Sequence, residues 1–195
     1  MEHIKQYKPS TTSLSSGQVL KRGYTYAETR NVIREMTEQV VLDLIEKGLV
    51  AGGFVLYISY ERLPEQASYS GAIHLDHYGR KVPASARGTT NLGAPTATPS
   101  KIIEAVMALF DRIVDKQLLS RRLFVTAIRV IRAEDTAPQI SFFSDYQDDQ
   151  REIDLAKAQI ALHQRFGKNA LFKANDLFEA ATTIERNNQI GGHRK

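Results

Sequence analysis

The sequence predicts a two-layer α+β sandwich: a four-stranded, mostly antiparallel sheet with two helices on one face, followed by a C-terminal helical tail. Three observations carry that expectation. Two stretches repeat apolar residues at helical spacing: Ile33, Met36, Val40 and Leu44 in one, Ile102, Val106, Leu109, Phe110 and Ile113 in the other. Other stretches have the length, aromatic content and β-branched content of strands. The resulting order, β-α-β-β-(β)-α-β up to about residue 132, lets both helices cover one side of a small sheet. The other side is left to solvent or to a partner.

Residues 1–12 are polar, with Pro9 and a Ser/Thr run, and read as a tether. Ser13–Leu20 has strand composition. Thr25 and Glu28 fit a capping box opening a helix over 26–47, with Gly48 placed to end it in the left-handed conformation. Gly53–Tyr60 follows as a strand, with Phe54, Leu56, Ile58 and Tyr60 on one face and Val55, Tyr57 and Ser59 on the other. Tyr69–His77 is a second strand, turning near Tyr78-Gly79, and Ser85–Leu92 a short strand or loop. Thr98-Pro99 pairs an N-cap with proline at the first helical position and opens a helix over 99–117. In the strand Arg122–Ile131, alternation puts Phe124, Thr126 and Ile128 on one face and Val125, Ala127 and Arg129 on the other. The open sheet face is expected to carry small, polar or basic residues. Residues 133–149 form an acidic linker holding the apolar island Gln139-Ile140-Ser141-Phe142-Phe143. Residues 150–195 form the tail, with a helix over 150–166 stopped by Gly167 and a weaker helical pattern over 176–185.

At 195 residues, 42% hydrophobic and 25% charged, the chain has an ordinary globular composition. It has no Cys, which excludes disulfide scaffolds and thiol nucleophiles. It has no Gly-x-Ser-x-Gly elbow, phosphate-binding loop or dinucleotide fingerprint. His74-Leu75-Asp76-His77 is metal-like in composition. On a strand, however, His77 points away from His74 and Asp76, so a polar strand face is the expectation. Asp148, Asp149 and Glu152 read as solvated charge. No catalytic residue and no metal site is therefore predicted. Residues 1–133 carry 18 basic and 12 acidic side chains, whereas residues 134–154 carry one basic and seven acidic. A basic body is the electrostatic footprint of a polyanion binder. No apolar run approaches the roughly 20 residues of a membrane span, and the N-terminus has no signal-like apolar region. The expectation is a soluble, cytoplasmic protein with no membrane partner.

Taken together, the segments resemble the little-finger (C-terminal) domain of Y-family DNA polymerases of the UmuC/DinB type. Lys8-Pro9-Ser10-Thr11-Thr12-Ser13-Leu14-Ser15-Ser16-Gly17-Gln18 is similar to the tether and first strand of that domain. Arg87-Gly88-Thr89-Thr90-Asn91-Leu92 before Pro95-Thr96 resembles its basic, Thr-bearing strand, and Arg121-Arg122-Leu123-Phe124 its last strand. Gln139-Ile140-Ser141-Phe142-Phe143 resembles the sliding-clamp-binding pentapeptide, with Ile and Phe in place of two Leu. The ending Glu185–His193 is similar to those of Gram-positive UmuC-like members. The family's palm, fingers and thumb are not in this sequence. Its catalytic carboxylates and the Mg2+ they hold lie in the palm, so nothing catalytic is carried over and this chain alone is expected to be inactive.

The resemblance implies a part in SOS-type lesion bypass and DNA repair. Its partners would be primer-template DNA, the replication sliding clamp and the polymerase's upstream domains. The open sheet would grip DNA backbones. Phosphate contacts come from Arg/Lys, Ser/Thr and backbone N–H groups and carry little sequence information. The DNA-binding candidates are Ser15, Ser16, Arg87, Thr89, Asn91, Arg121, Arg122 and Arg129. Arg121 and Arg122 have an alternative use, capping the preceding helix or pairing with Asp115. In the pentapeptide, Gln139 would be the polar anchor of the clamp contact, with Ile140, Phe142 and Phe143 as apolar plugs around Ser141. Two rival readings are an RNA-recognition-like module, which the core position expected for Phe54 argues against, and a non-catalytic adaptor using residues 139–195.

Overall fold

The computed structural model describes residues 12–136, 146–190 and 193–194. Strand β1 (Thr12–Tyr24) leads into helix α1 (Tyr26–Glu46) and strand β2 (Leu49–Tyr60). A small hairpin follows, β3 (Ile73–Leu75) and β4 (Lys81–Pro83). Then come β5 (Ala86–Thr96), helix α2 (Pro99–Ile113) and β6 (Ser120–Arg132). The main sheet has the order β1-β6-β2-β5, every neighbouring pair antiparallel, with both helices on one face. The two-layer α+β architecture is thus the one the sequence predicts.

Helix α1 starts where its capping box does. The Thr25 backbone N–H donates to Glu28 Oε2 (2.8 Å) and the Glu28 N–H to Thr25 Oγ1 (3.4 Å). Arg22 grips the same carboxylate, Nη2 to Oε1 at 2.5 Å, and holds its pKa down to about 2. Gly48, at φ 64°, ends the helix turn. Between the layers, Phe54, Leu56 and Ile58 of β2 and Leu123, Val125 and Ala127 of β6 are sealed against Val32, Ile33, Met36 and Val40 of α1 and Ile102, Val106 and Phe110 of α2. Each large side chain buried there contributes roughly 1.5–3 kcal/mol. The helices are tied to each other by Arg30, whose Nε and Nη2 donate to the two oxygens of Asp111 at 2.9 and 3.1 Å.

Among the boundaries that differ from expectation, four have identifiable reasons. β5 is a full strand of 11 residues, not a short strand or loop. Its own sequence lacks an apolar alternation, and pairing with β2 supplies the conformation. The strand expected over Tyr69–His77 shrinks to Ile73–Leu75, because Ile73 and Leu75 are exposed and have no layer to pack on. α2 stops at Ile113 rather than 117. There the Asp115 N–H donates to Tyr60 Oη (3.0 Å), while its carboxylate accepts from Tyr69 Oη (2.9 Å) and the Gln117 N–H (2.9 Å). The helical pattern over 176–185 resolves into a 3-10 turn, Ala174–Leu177, and a short helix, α4 (Thr183–Asn187).

The tail folds back onto the body. Helix α3 (Tyr146–Phe166) lies against both α1 and α2. Glu152 accepts the free Ser100 N–H at the N-terminus of α2 (2.8 Å), and Asp149 pairs with Lys101. Those two acidic residues are therefore docking groups rather than solvated charge. Thr98 sits at the N-cap of α2, but its side chain makes no capping bond. Farther on, Glu35 of α1, 3% exposed, accepts from the backbone N–H and hydroxyl groups of both Thr182 and Thr183 at 3.0–3.2 Å. Burial pushes the Glu35 carboxyl above its ordinary range, and these bonds oppose that push. A last pair, β7 (Gln189–Ile190) and β8 (His193–Arg194), closes the described chain.

Candidate nucleic-acid interface

Among the described residues no element covers the face of the sheet away from the helices, and the strand registers fix what it displays. Paired residues of antiparallel strands share a face. From β1 to β5, one row therefore runs Gly17, Phe124, Tyr57, Arg87 and the next runs Ser15, Thr126, Val55, Thr89. On the other side of the first row, Arg122 stands between Val19 and Ser59. Ser15, Arg87, Thr89, Asn91, Arg122 and Arg129 are all exposed. Ser15 Oγ and Thr126 Oγ1 bond to each other at 2.8 Å. Arg87 and Arg122 have no hydrogen-bond or ion-pair partner among the described residues, so two guanidinium groups on this face are free to meet a polyanion.

Arg129 reaches this face by a route that simple alternation misses. Strict period two places it with Val125 and Ala127, on the covered side. Between the pairs Thr12–Val130 and Leu14–Ala127, however, β6 has two residues, Ile128 and Arg129, against one on β1. This β-bulge shifts the phase of the strand by one. Arg129 adopts φ 51°, and Val130 takes the buried position instead. The guanidinium then lies over β2. Its Nη2 donates to Asn91 Oδ1 at 2.8 Å and to the Gly52 carbonyl. Gly53 permits this approach: a Cβ there would stand 2.5 Å from the Thr90 carbonyl oxygen and 2.7 Å from Arg129 Nη2. Arg129 and Asn91 thus form one unit, with the Nε–H and Nη1 hydrogens of Arg129 unclaimed among the described residues.

Two sequence candidates lie elsewhere. Ser16 alternates to the helix side of β1, half-buried, where it accepts from Arg186 of α4 at 3.2 Å. The docked tail covers that side of the strand. Arg121 sits in the irregularity between the pairs Ser59–Arg122 and Tyr60–Ser120, and its Nε lies 3.6 Å from Glu61 Oε2. It therefore pairs with Glu61, not with Asp115. The pentapeptide Gln139, Ile140, Ser141, Phe142 and Phe143 lies outside the described residues.

Sequence reasoning missed that the open face is not purely small, polar or basic. Tyr57 and Phe124 stand side by side at its centre, 37% and 40% exposed, with ring centroids 5.9 Å apart at 64°. The signal was present, since both fall on the non-core side of the period-two pattern. Only the register shows that they are neighbours.

No group of three His, Cys, Asp or Glu side chains among the described residues is arranged to hold a metal ion. The Asp76 carboxylate of the His74–His77 cluster accepts from the Tyr78 and Arg80 N–H groups and from Arg80 Nε (2.7 Å), and Arg80 holds its pKa down to about 2. It is a turn-closing group. No helix among the described residues is long and apolar enough to cross a membrane. Phe54 is fully buried, so it offers no stacking surface of the RNA-recognition kind.

Comparison with known proteins agrees with this architecture. The chain is 32% identical over 104 residues to DNA polymerase IV 2 of Bacillus subtilis (strain 168), a match covering 53% of this chain and 24% of that relative. It thus spans about a quarter of the length of the curated relative it matches. The family model of the impB/mucB/samB family C-terminal domain matches residues 11–142, from the residue before the first strand of the sheet to the fourth residue of the pentapeptide. The chain belongs to that family and carries the C-terminal domain of a Y-family DNA polymerase.

Proposed function

We propose that the open sheet binds primer-template DNA through its sugar–phosphate backbones, and that the chain serves a translesion polymerase by holding damaged template while upstream domains perform nucleotidyl transfer. The observation that carries this is a sheet face that no described element covers, bearing two guanidinium groups, Arg87 and Arg122, with no partner among the described residues. Around them stand hydroxyl and amide donors from Ser15, Thr89, Thr126 and Asn91. Such a surface meets a phosphate rail without reading bases, which suits a template whose bases are misshapen. Catalysis, and the Mg2+ it needs, is assigned to domains outside this chain. Titration of the chain against a labelled primer-template at several salt concentrations tests the reading. The affinity should fall with log-log slope of roughly −0.9 for each phosphate neutralised. An affinity indifferent to salt overturns it.

A second contact belongs to the pentapeptide. Gln139, Ile140, Phe142 and Phe143 are proposed to plug a pocket on the replication sliding clamp, each aromatic burying about 150–250 Å2. Support comes from the sequence: two adjacent aromatics in an otherwise acidic, Pro-led segment. Replacing Gln139, Phe142 and Phe143 with Ala should abolish capture by the clamp and leave the thermal melt unchanged. Undiminished capture by the triple variant would falsify this assignment.

A further inference from the structure

We propose that Tyr57 and Phe124 form a stacking site for unpaired bases, so that the open face takes single-stranded template DNA in addition to duplex backbone. The inference rests on the reading that this face binds DNA. It adds a ligand that backbone contacts alone do not require.

The two rings are held, not merely exposed. Phe124 lies over the backbone of Gly17, where a Cβ would come within 2.6 Å of the ring, so the absence of a side chain on β1 gives the ring its seat. Tyr57 is fixed at its far end by a 3.0 Å bond between its hydroxyl and Ser85 Oγ. An aromatic already fixed in place loses little conformational freedom when a base stacks on it. Arg87 follows Tyr57 in the same row, and Arg122 stands one row from Phe124.

Charge decides among the occupants. An apolar protein surface over the rings would strip water from Arg87 and Arg122 and give them no counter-charge. Intact duplex gives both arginines phosphate but keeps its base faces stacked inside. A single strand supplies phosphate and an open π-face together, the combination that sequence-tolerant single-strand binders use. At a primer-template junction that strand is the template not yet copied.

The test uses the 195-residue chain and four fluorescent probes at one salt concentration: a blunt duplex, the same duplex with a 5′ oligo-dT overhang, the oligo-dT alone, and an oligo-rU of the same length. The overhang probe should bind tighter than the blunt duplex by about five-fold or more. Tyr57→Ala with Phe124→Ala should remove that advantage, bringing the overhang and blunt-duplex affinities to within about two-fold of each other. Tyr57→Leu with Phe124→Leu keeps apolar cover on the sheet but has no π-face. It should show the same loss, which separates stacking from any effect on folding. An unaltered chain with no overhang advantage, or an advantage that survives the Leu pair, overturns the proposal. Tighter binding of oligo-rU than of oligo-dT overturns its assignment to template DNA. If the blunt duplex itself fails to bind at low salt, the backbone reading falls too. Duplex binding without an overhang advantage sinks the stacking site alone.

Discussion

On the covered side of the sheet Phe54, Leu56, Ile58, Leu123, Val125 and Ala127 have no solvent exposure. The residues between them on the same two strands, Val55, Tyr57, Arg122, Phe124 and Thr126, face outward. The two sets share a backbone and its hydrogen bonds, yet they answer to different physics. The covered set is held by close packing, where even a methylene matters. The open set is held by register alone, and its side chains are free to be chosen for a partner. Substitutions should therefore separate into those that change stability and those that change binding.

The largest effect is expected from the centre of the covered set. Phe54→Ala should cost about 3–5 kcal/mol of unfolding free energy, from lost transfer energy plus the cavity left behind. Urea titration reads this as a lower midpoint. DNA affinity, measured where the variant is still folded, should be unchanged. A weakened affinity in the folded variant would mean that the two faces are not independent.

Gly53 is where the faces meet. Gly53→Ala forces a Cβ against the Thr90 carbonyl oxygen, a backbone atom that moves only with β5. Overpacking of this kind costs about 1–3 kcal/mol. At Gly52 the nearest atom would be Arg129 Nε, 2.9 Å away on a flexible side chain. Gly52→Ala should therefore be the milder change in stability, although it also displaces Arg129. Equal melting temperatures for the two variants would contradict the close approach described at Gly53.

A smaller effect belongs to the start of α1. Glu28→Ala removes the capping box and the Arg22 pair, and should cost about 1 kcal/mol. Because Arg22 holds the carboxyl at about 2 in the fold, against 4.5 as its ordinary value, the contribution is complete above pH 4.5. It is lost as pH falls from 4.5 toward 2. The difference in stability between parent and variant should narrow across that window and stay flat above it.

The covered layer was legible in the sequence because it rests on local pattern. The stripe Ile33, Met36, Val40, the capping box and the alternation of Phe54, Leu56 and Ile58 each report a period that survives folding. The open face was half legible. Alternation marks Tyr57 and Phe124 as outward-facing, but their contact depends on the β2–β6 register, which no local signal encodes. Alternation alone sets Arg129 with Val125 and Ala127, away from the face it reaches, because a bulge inserts one residue and nothing in Ala127-Ile128-Arg129-Val130 announces it. The docked tail was least legible, since Glu35 meets Thr182 across 147 positions of sequence. The one hint was an acidic residue beside the apolar stripe of α1, between Val32 and Met36.

The smallest change in stability, with a clear change in binding, is expected at Arg87 and Arg122. Both are exposed and have no partner within the described residues, so Arg87→Ala and Arg122→Ala should each shift unfolding free energy by no more than about 0.5 kcal/mol. If each guanidinium neutralises one phosphate, each variant should reduce the magnitude of the salt slope by about 0.9, and the double variant by about 1.8. Arg121→Ala is the internal control. Its guanidinium is turned to Glu61, so the slope should hold while any loss appears in the melt. If Arg121→Ala instead reproduced the slope change of Arg87→Ala, the contact would be spread along the end of β6. The open face would then no longer be set apart from its surroundings.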